Sequence, residues 1–179
     1  MKKTVLIFGS IAGLIVATFM ATTMAIMANT SGSAESTGTS MVIGFASMAA
    51  AFSFVFVGIK NYRDKHNGGV ISFGKAFWLG FLISFVASSI YVLTWAVEFN
   101  LFIPDFMDKY TNMNISYMVK SGLKDQKLVE AVYDSLLNNY QYKHNPFFFT
   151  MYTYFEILPV GILITLISAL ILKRKTAAV

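Results

Sequence analysis

The chain has 179 residues, of which 56% are hydrophobic and 13% are charged, and its formal net charge is +5. Soluble domains carry about 25% charged residues, and a chain of this size cannot bury so much apolar surface in one water-soluble core. The absence of cysteine excludes disulfides, Cys-ligated zinc and thiol chemistry. The basic surplus is typical of membrane topology signals, and no basic stripe interleaved with aromatic residues predicts a nucleic-acid partner.

The charged residues leave four long apolar segments, at residues 4–28, 41–59, 73–97 and 147–172. A helix needs about 20 apolar residues to cross a hydrocarbon core about 30 Å thick, and the backbone in lipid must satisfy its own hydrogen bonds. A β-barrel would show alternation over segments of about 10 residues, whereas these segments are continuous. We therefore predict one membrane domain over residues 1–179 with four transmembrane helices.

The first segment has an alternative interpretation as a secretory signal. Lys2 and Lys3 precede it, and the small residues at positions 21–25 resemble a cleavage site. The apolar core of such a signal usually has about 7–15 residues. This segment extends to Ala28, which favours a retained transmembrane helix.

Two polar regions are predicted on the outer side of the membrane. Residues 29–40 are small and polar and are predicted to form a flexible connector. The insert at residues 98–146 predicts an amphipathic helix at 124–140 and a shorter helix at 104–119, with Pro104 in its first turn. The mixed charge of the longer helix favours a cap on the helix bundle over a helix lying on the bilayer. Its apolar positions are Leu128, Val129, Val132, Tyr133, Leu136, Leu137 and Tyr140.

The basic residues predict the orientation in the membrane. Nine of the 14 Lys and Arg residues lie in short segments next to helix ends, and the other five are spread over the long insert. The positive-inside rule therefore places both termini and the loop at residues 60–72 in the cytoplasm. Glu98, at the outer end of the third segment, is expected to contact water. The predicted fold is an all-α membrane protein, a four-helix transmembrane bundle with a helical cap in the extracytoplasmic insert between helices 3 and 4.

Small residues recur every four positions in three of the apolar segments, which places them on one face of each helix. Helices in lipid associate through close contact between such faces. These stripes predict packing contacts but do not decide the oligomeric state. They comprise Gly9, Gly13, Ala17, Ala21 and Ala25 in the first segment, Ala76, Gly80, Ser84 and Ser88 in the third, and Gly161, Thr165 and Ala169 in the fourth.

Glu156 is the one charged residue inside the fourth segment, and Pro159 loosens the helix beside it. A carboxylate isolated in hydrocarbon costs at least about 2.5–3.5 kcal/mol on insertion scales. One interpretation is a site that binds a cation or relays a proton. The other is structural, with a neutral Glu156 hydrogen-bonded across the bundle to a polar residue of the third segment. The candidate partners are Ser84, Ser88, Tyr91 and Thr94.

The segment between the second and third helices and the start of the third helix hold candidate anchors for anionic lipid headgroups. Gly68 and Gly69 permit positive φ in a tight turn there. The alternative is that the basic residues only fix the topology, with Lys75 reaching the membrane interface along its stem rather than pairing with Glu156. The candidate anchors are Lys60, Arg63, Lys65 and Lys75.

No cofactor, metal or catalytic residue is predicted. His66 and His144 fall on opposite sides of the membrane, and the methionines of the insert do not align on one helix face. No Gly-rich phosphate loop, zinc-helix motif or nucleophile elbow occurs. We therefore expect a protein that is not an enzyme.

Several segments together resemble a known family. They are GIKNYRD at residues 58–64, GGVISFGKAF at 68–77, YVLTW at 91–95, EILPVG at 156–161 and ISALIL at 167–172. With these the chain resembles, over nearly its whole length, the bacterial membrane family known as domain of unknown function 4199, which is common in Bacteroidota. The resemblance implies a small four-helix protein of the bacterial inner membrane and implies no activity.

Two functional hypotheses follow. The first is a non-enzymatic accessory or interaction protein of the envelope, whose partners are membrane lipids and either another envelope protein or a second copy of itself. The second is a small transporter or channel that uses Glu156 as an ion or proton site. A lipid-modifying enzyme has almost no support.

Overall fold

The computed structural model describes residues 1–29, 36–122 and 124–174. Within these residues the chain forms six helices and no strand: α1 (Lys2–Asn29), α2 (Ser36–His66), α3 (Phe73–Leu101), α4 (Phe106–Lys120), α5 (Asp125–His144) and α6 (Pro146–Leu172). Four of them contain a stretch long and apolar enough to cross a membrane: Lys2–Met24, Gly44–His66, Phe73–Leu101 and Pro146–Leu172. The predicted all-helical fold with four candidate spans is confirmed.

The second helix is longer than the apolar segment that predicted it. Residues 36–40 belong to α2 rather than to a flexible connector, and Asn29 belongs to α1. The rest of that predicted connector, residues 30–35, lies outside the described residues. Hydropathy marks the part of a helix that lipid surrounds, whereas backbone hydrogen bonding continues into polar residues until a turn interrupts it. The turn after α2 contains Gly68 and Gly69, and their φ angles of 64° and 79° confirm the predicted positive φ.

Both predicted helices of the insert are present, with different ends. The prediction that Pro104 lies in the first turn of α4 is wrong, because Asp105 is the N-cap and Pro104 precedes it. The amides of Phe102 and Ile103 donate to the carbonyl of Glu98 at 2.9 and 3.0 Å. These hydrogen bonds close α3 in a tight turn, so Pro104 falls in the link between the two helices.

The chain divides into two compact units, and it passes from one to the other within α3 and again within α6. The first, called the span unit, comprises Met1–Trp95 and Tyr154–Val179. The second, called the hairpin unit, comprises Ala96–Thr153 and contains α4 and α5. Each unit is described by itself.

Glycines let the helices of the span unit approach one another closely. A Cβ atom at Gly13 of α1 would lie 2.8 Å from the side chain of Ile90 and 3.2 Å from the Cα atom of Ala87, both in α3. A Cβ atom at Gly80 of α3 would lie 2.7 Å from Thr165 in α6, and α1 also packs along α2. The predicted small-residue faces of α3 and α6 are buried at every position, which confirms them as packing surfaces.

The small-residue stripe of α1 is buried over only part of its length. Gly9, Gly13 and Ala17 are buried, whereas Ala21 is exposed. The side chain of Ala25 lies outside the described part of the chain. Small residues at regular spacing therefore predicted the face of α1 correctly but overestimated how far along the helix its neighbours extend.

An aromatic cluster forms the centre of the hairpin unit. The rings of Phe99, Tyr142 and Phe149 have centroids 4.9 to 5.4 Å apart. Glu98, which was expected to contact water, is only 8% exposed, and this expectation is wrong. The chain turns back directly after Glu98 through the hydrogen bonds to its carbonyl, and within the described residues its Oε2 atom has no hydrogen-bond partner.

Candidate intramembrane polar site

A polar contact joins α3 to α6 inside the span unit. The hydroxyl of Ser84 donates to the carbonyl of Gly161 at 3.2 Å and lies 3.0 Å from the hydroxyl of Thr165. Ser84 and Thr165 are fully buried. A Cβ atom at Gly161 would lie 2.9 Å from Ser84 and from the ring of Phe52. The two small-residue faces therefore meet closely enough for a side-chain hydrogen bond, which stabilises helix pairs in lipid by about 0.6–2 kcal/mol.

The other polar residues predicted on α3 have separate roles. Ser88, one turn after Ser84, is fully buried, and its hydroxyl has no hydrogen-bond partner among the residues that the structure describes. Thr94 donates to the carbonyl of Ile90 within α3 at 2.9 Å. Tyr91 is 7% exposed. Three of the four candidates are thus buried, and the described contacts do not bring any of them to Glu156.

Glu156 lies on the exposed side of α6. The next residue, Ile157, is 1% exposed. Ile157 therefore belongs to the buried face of α6, and Glu156 does not. Glu156 is ten residues from the first residue of α6 and sixteen from the last, about 15 and 24 Å along the axis. No described residue forms a hydrogen bond or an ion pair with its carboxyl group, and Ser84 is bonded to Gly161 and Thr165 instead.

Arg63, a predicted lipid anchor, contacts the end of another helix. Its Nη1 atom donates to the carbonyl of Leu172 at 3.3 Å, and its Nε atom donates to Asp64 at 2.6 Å. Leu172 is the last residue of α6, where the carbonyl groups lack helical partners. In the same place Ile71 and Arg174 exchange two backbone hydrogen bonds of 3.0 and 2.9 Å. The turn between α2 and α3 is therefore fastened to the end of α6.

The remaining candidate anchors divide into two groups. Lys75 donates to the side chain of Asn67 at 2.7 Å and lies 5.4 Å from the ring centroid of Tyr62. It therefore stabilises the turn between α2 and α3 and does not pair with Glu156. Lys60 and Lys65, at the end of α2, are exposed and form no hydrogen bond or ion pair with the residues that the structure describes, as a lipid-facing or topology-fixing residue requires.

Sequence reasoning missed the fastening of α6 by Arg63 and Ile71. An arginine can cap a helix end that is 109 residues away in sequence, and no local spacing indicates which end it will reach. The contact between Ser84 and Thr165 was closer to prediction, because both residues lie on small-residue stripes. The stripes predicted which face of each helix would be buried, but they did not predict which residues of two helices would contact each other.

The fold defines an all-helical protein with four helices long and apolar enough to cross a membrane. The family model described as Protein of unknown function (DUF4199) matches residues 7–174. The chain belongs to this family, as its segments around the turn between α2 and α3 predicted. No curated protein and no solved structure matches the chain.

Proposed function

We propose that this is a non-enzymatic integral protein of the bacterial inner membrane that acts as an accessory or interaction protein of the envelope. In this proposal α1, α2, α3 and α6 form a four-helix transmembrane bundle, and the hairpin of α4 and α5 caps it outside the cytoplasm. The observation that carries the proposal is an apolar, tyrosine-containing surface on α5 that the hairpin leaves uncovered.

The hairpin is closed by polar contacts at one end. Lys143 forms a 2.7 Å ion pair with Asp108, and Asn139 donates to the same carboxylate at 3.0 Å. These contacts join the start of α4 to the end of α5, so the two helices run antiparallel. Leu128 and Val132 of α5 are half-buried. Only part of the apolar pattern that the sequence showed on α5 is therefore covered.

The rest of that pattern forms an exposed surface, called here the α5 surface. Its residues are 43% to 69% exposed. Exposed apolar patches on a soluble face mark interaction sites, and tyrosine is enriched among the residues that contribute most to binding. The surface consists of Val129, Tyr133, Leu136, Leu137 and Tyr140.

The charges beside the α5 surface favour a protein partner over the lipid surface. Lys127, Glu130 and Asp134 are all exposed on the same helix. A helix that lies on anionic lipid carries mostly Lys and Arg on its polar side, whereas α5 carries both signs. We therefore expect the partner to be an envelope protein with an apolar patch bordered by both positive and negative residues.

The alternative, a transporter or channel that uses Glu156, has less support. Such a site lines a water-filled path inside the protein, but Glu156 is on the exposed side of α6. The buried hydroxyl groups of Ser84 in α3 and Thr165 in α6 instead bond to each other. The absence of a catalytic motif in the sequence supports the proposal that the protein is not an enzyme.

Photo-cross-linking in native membranes tests the α5 surface. A photoreactive phenylalanine analogue at Tyr133 is expected to give one discrete protein adduct, because Tyr133 lies in the middle of the surface. The same analogue at the neighbouring Asp134, which is exposed but outside the surface, is the matched control and is expected to give several-fold less of it.

A second variant connects the adduct to the surface. Leu136→Ser together with Tyr140→Ser is expected to reduce the adduct from position 133 several-fold while the protein remains in the membrane fraction. Adducts with lipid alone would assign the surface to the bilayer. Equal yields from positions 133 and 134 would contradict the proposed docking surface.

A further inference from the structure

Two polar groups on the exposed side of α6 lack an ordinary partner among the residues that the structure describes. Glu156 is exposed, and its carboxyl group forms no hydrogen bond or ion pair with these residues. Pro159 lies inside α6 and has no N–H group, so the helix offers no donor to the carbonyl of Phe155. Both groups lie in the part of α6 that is apolar enough to cross a membrane. A carboxyl group turned toward hydrocarbon without a partner is costly, so the partner is expected outside this chain.

The exposed side of α6 also has the spacing of a helix-pairing seam. Five exposed residues of the span unit follow one another at intervals of three, four, three and four, which is the heptad pattern by which two helices interlock their side chains. Leu163, the third of the five, is 57% exposed. The α6 seam consists of Glu156, Pro159, Leu163, Leu166 and Leu170.

The α6 seam lies opposite the face of α6 that packs within the chain. At 100° per residue, the buried residues Ile157, Gly161 and Thr165 centre on one side of the helix, and the seam centres about 180° away. The described residues of the span unit therefore leave the seam accessible to a second helix that approaches α6 from outside.

We propose that the α6 seam packs against the α6 seam of a second copy of this chain, with the two Glu156 carboxyl groups hydrogen-bonded to each other. Copies of one chain insert into the membrane in the same direction, so a twofold axis between them runs along the membrane normal. Such an axis keeps every residue at its own depth. It therefore brings the two Glu156 carboxyl groups to the same depth, where each can serve as the partner of the other.

The leucines give this interface its shape, and Glu156 gives it a polar contact. Two helices that meet at equivalent heptad positions place Leu163, Leu166 and Leu170 against their counterparts. A carboxyl group that donates to a neighbouring carboxylate forms a short, strong hydrogen bond. This interface uses no residue of the α5 surface, so its test and that of the proposed function fail independently.

Disulfide cross-linking in the full-length protein tests the interface, since the chain has no cysteine of its own. Leu163→Cys and Leu170→Cys place single thiols in the α6 seam. Ile171→Cys is the matched control, because Ile171 is 64% exposed and lies 100° from Leu170 on the same helix. In oxidised membranes from a heterologous host, the two seam variants are expected to form dimers several-fold more than the control.

A second pair of variants tests the carboxyl contact. Combined with Leu170→Cys, Glu156→Leu is expected to reduce dimer formation several-fold, and Glu156→Gln is expected to retain it because an amide both donates and accepts hydrogen bonds. Equal yields from Leu170→Cys and Ile171→Cys would overturn the interface. Equal dimer formation with Glu156→Leu would overturn the carboxyl pair, and cross-links only to other proteins would assign the seam to a different partner.

Discussion

At the scale of residues, the structure separates two kinds of polar group in the candidate spans. Ser84 and Thr165 bond to each other where α3 and α6 meet, whereas Glu156 faces outward. The sequence indicated Glu156 as a candidate site because a charged residue inside an apolar segment is rare. It could not indicate which side of α6 Glu156 faces, because that side depends on where the other helices lie. The predicted stripes are most informative for their glycines, which allow two helices to approach each other closely.

Gly13→Leu is expected to destabilise the protein. A Cβ atom at Gly13 already lies 2.8 Å from Ile90 and 3.2 Å from the Cα atom of Ala87, so the larger side chain must separate α1 from α3. Forcing additional atoms into a packed core typically costs about 1–3 kcal/mol. The free energy of unfolding in mixed detergent micelles, followed by circular dichroism, measures this cost.

Gly44→Leu is the control for this prediction. Apart from the backbone of its own helix, a Cβ atom at Gly44 in α2 has no atom of the described residues within 4 Å. The substitution is expected to leave the protein at least as stable, because leucine has a higher helix propensity than glycine by roughly 0.8 kcal/mol. A Gly13→Leu variant as stable as Gly44→Leu would show that α1 and α3 do not approach each other at Gly13.

At the scale of elements, helices were predictable and their ends were not. The apolar segments located four helices, and the periodicity of the insert located α4 and α5, but α2 begins five residues before the predicted position 41 and continues to His66. The ends depend on turns such as the one fastened by Ile71 and Arg174. The apolar pattern of α5 predicted a single packing face, whereas the hairpin covers only part of it.

The end of the α4–α5 hairpin is expected to weaken in acid. Hydrogen bonds from the ammonium group of Lys143 and from Asn139 lower the pKa of Asp108 below its usual value. Because the pKa of Asp108 is lower in the folded state, its carboxylate contributes its full stabilisation of the fold above the unfolded-state pKa of about 3.9. This contribution is lost as the pH falls through the folded-state pKa. Protection of the α5 amides from hydrogen exchange, corrected for intrinsic rates, is therefore expected to decrease below about pH 4.

Variants identify Asp108 as the titrating group. Asp108→Asn is expected to flatten the acid dependence of amide protection, since the asparagine does not titrate. Asp134→Asn removes a carboxylate that is exposed elsewhere on α5 and is expected to leave the dependence as in the wild type. If Asp108→Asn retains the full loss of protection in acid, the ion pair with Lys143 does not stabilise the hairpin.

At the scale of the whole molecule, the distribution of basic residues predicts the orientation. The basic residues near the turn between α2 and α3 lie in a short segment, where the positive-inside rule acts most strongly. Those of the insert are diluted among acidic residues over a longer stretch. The α5 surface and the α6 seam would then offer two separate contacts, one outside the cytoplasm and one within the bilayer.

Labelling of single cysteines tests this orientation, because the chain provides a cysteine-free background. Gln126→Cys in the hairpin is expected to react with a membrane-impermeant maleimide in cells whose outer barrier has been opened. Lys65→Cys, which is also exposed and lies in the last turn of α2, is expected to react only after the inner membrane is permeabilised. Equal labelling of both positions without permeabilisation would contradict cytoplasmic termini with an external hairpin.

The sequence by itself determined that the chain is helical, that four of its helices can cross a membrane, and which faces of three of them carry small residues. These properties follow from the number of consecutive apolar residues and from their periodicity, which are local. The tertiary structure alone decided that Ser84 meets Thr165, that Arg63 caps α6, that Glu98 is buried and that Glu156 is exposed. Each of these depends on contacts between residues far apart in sequence, for which local hydropathy carries no signal.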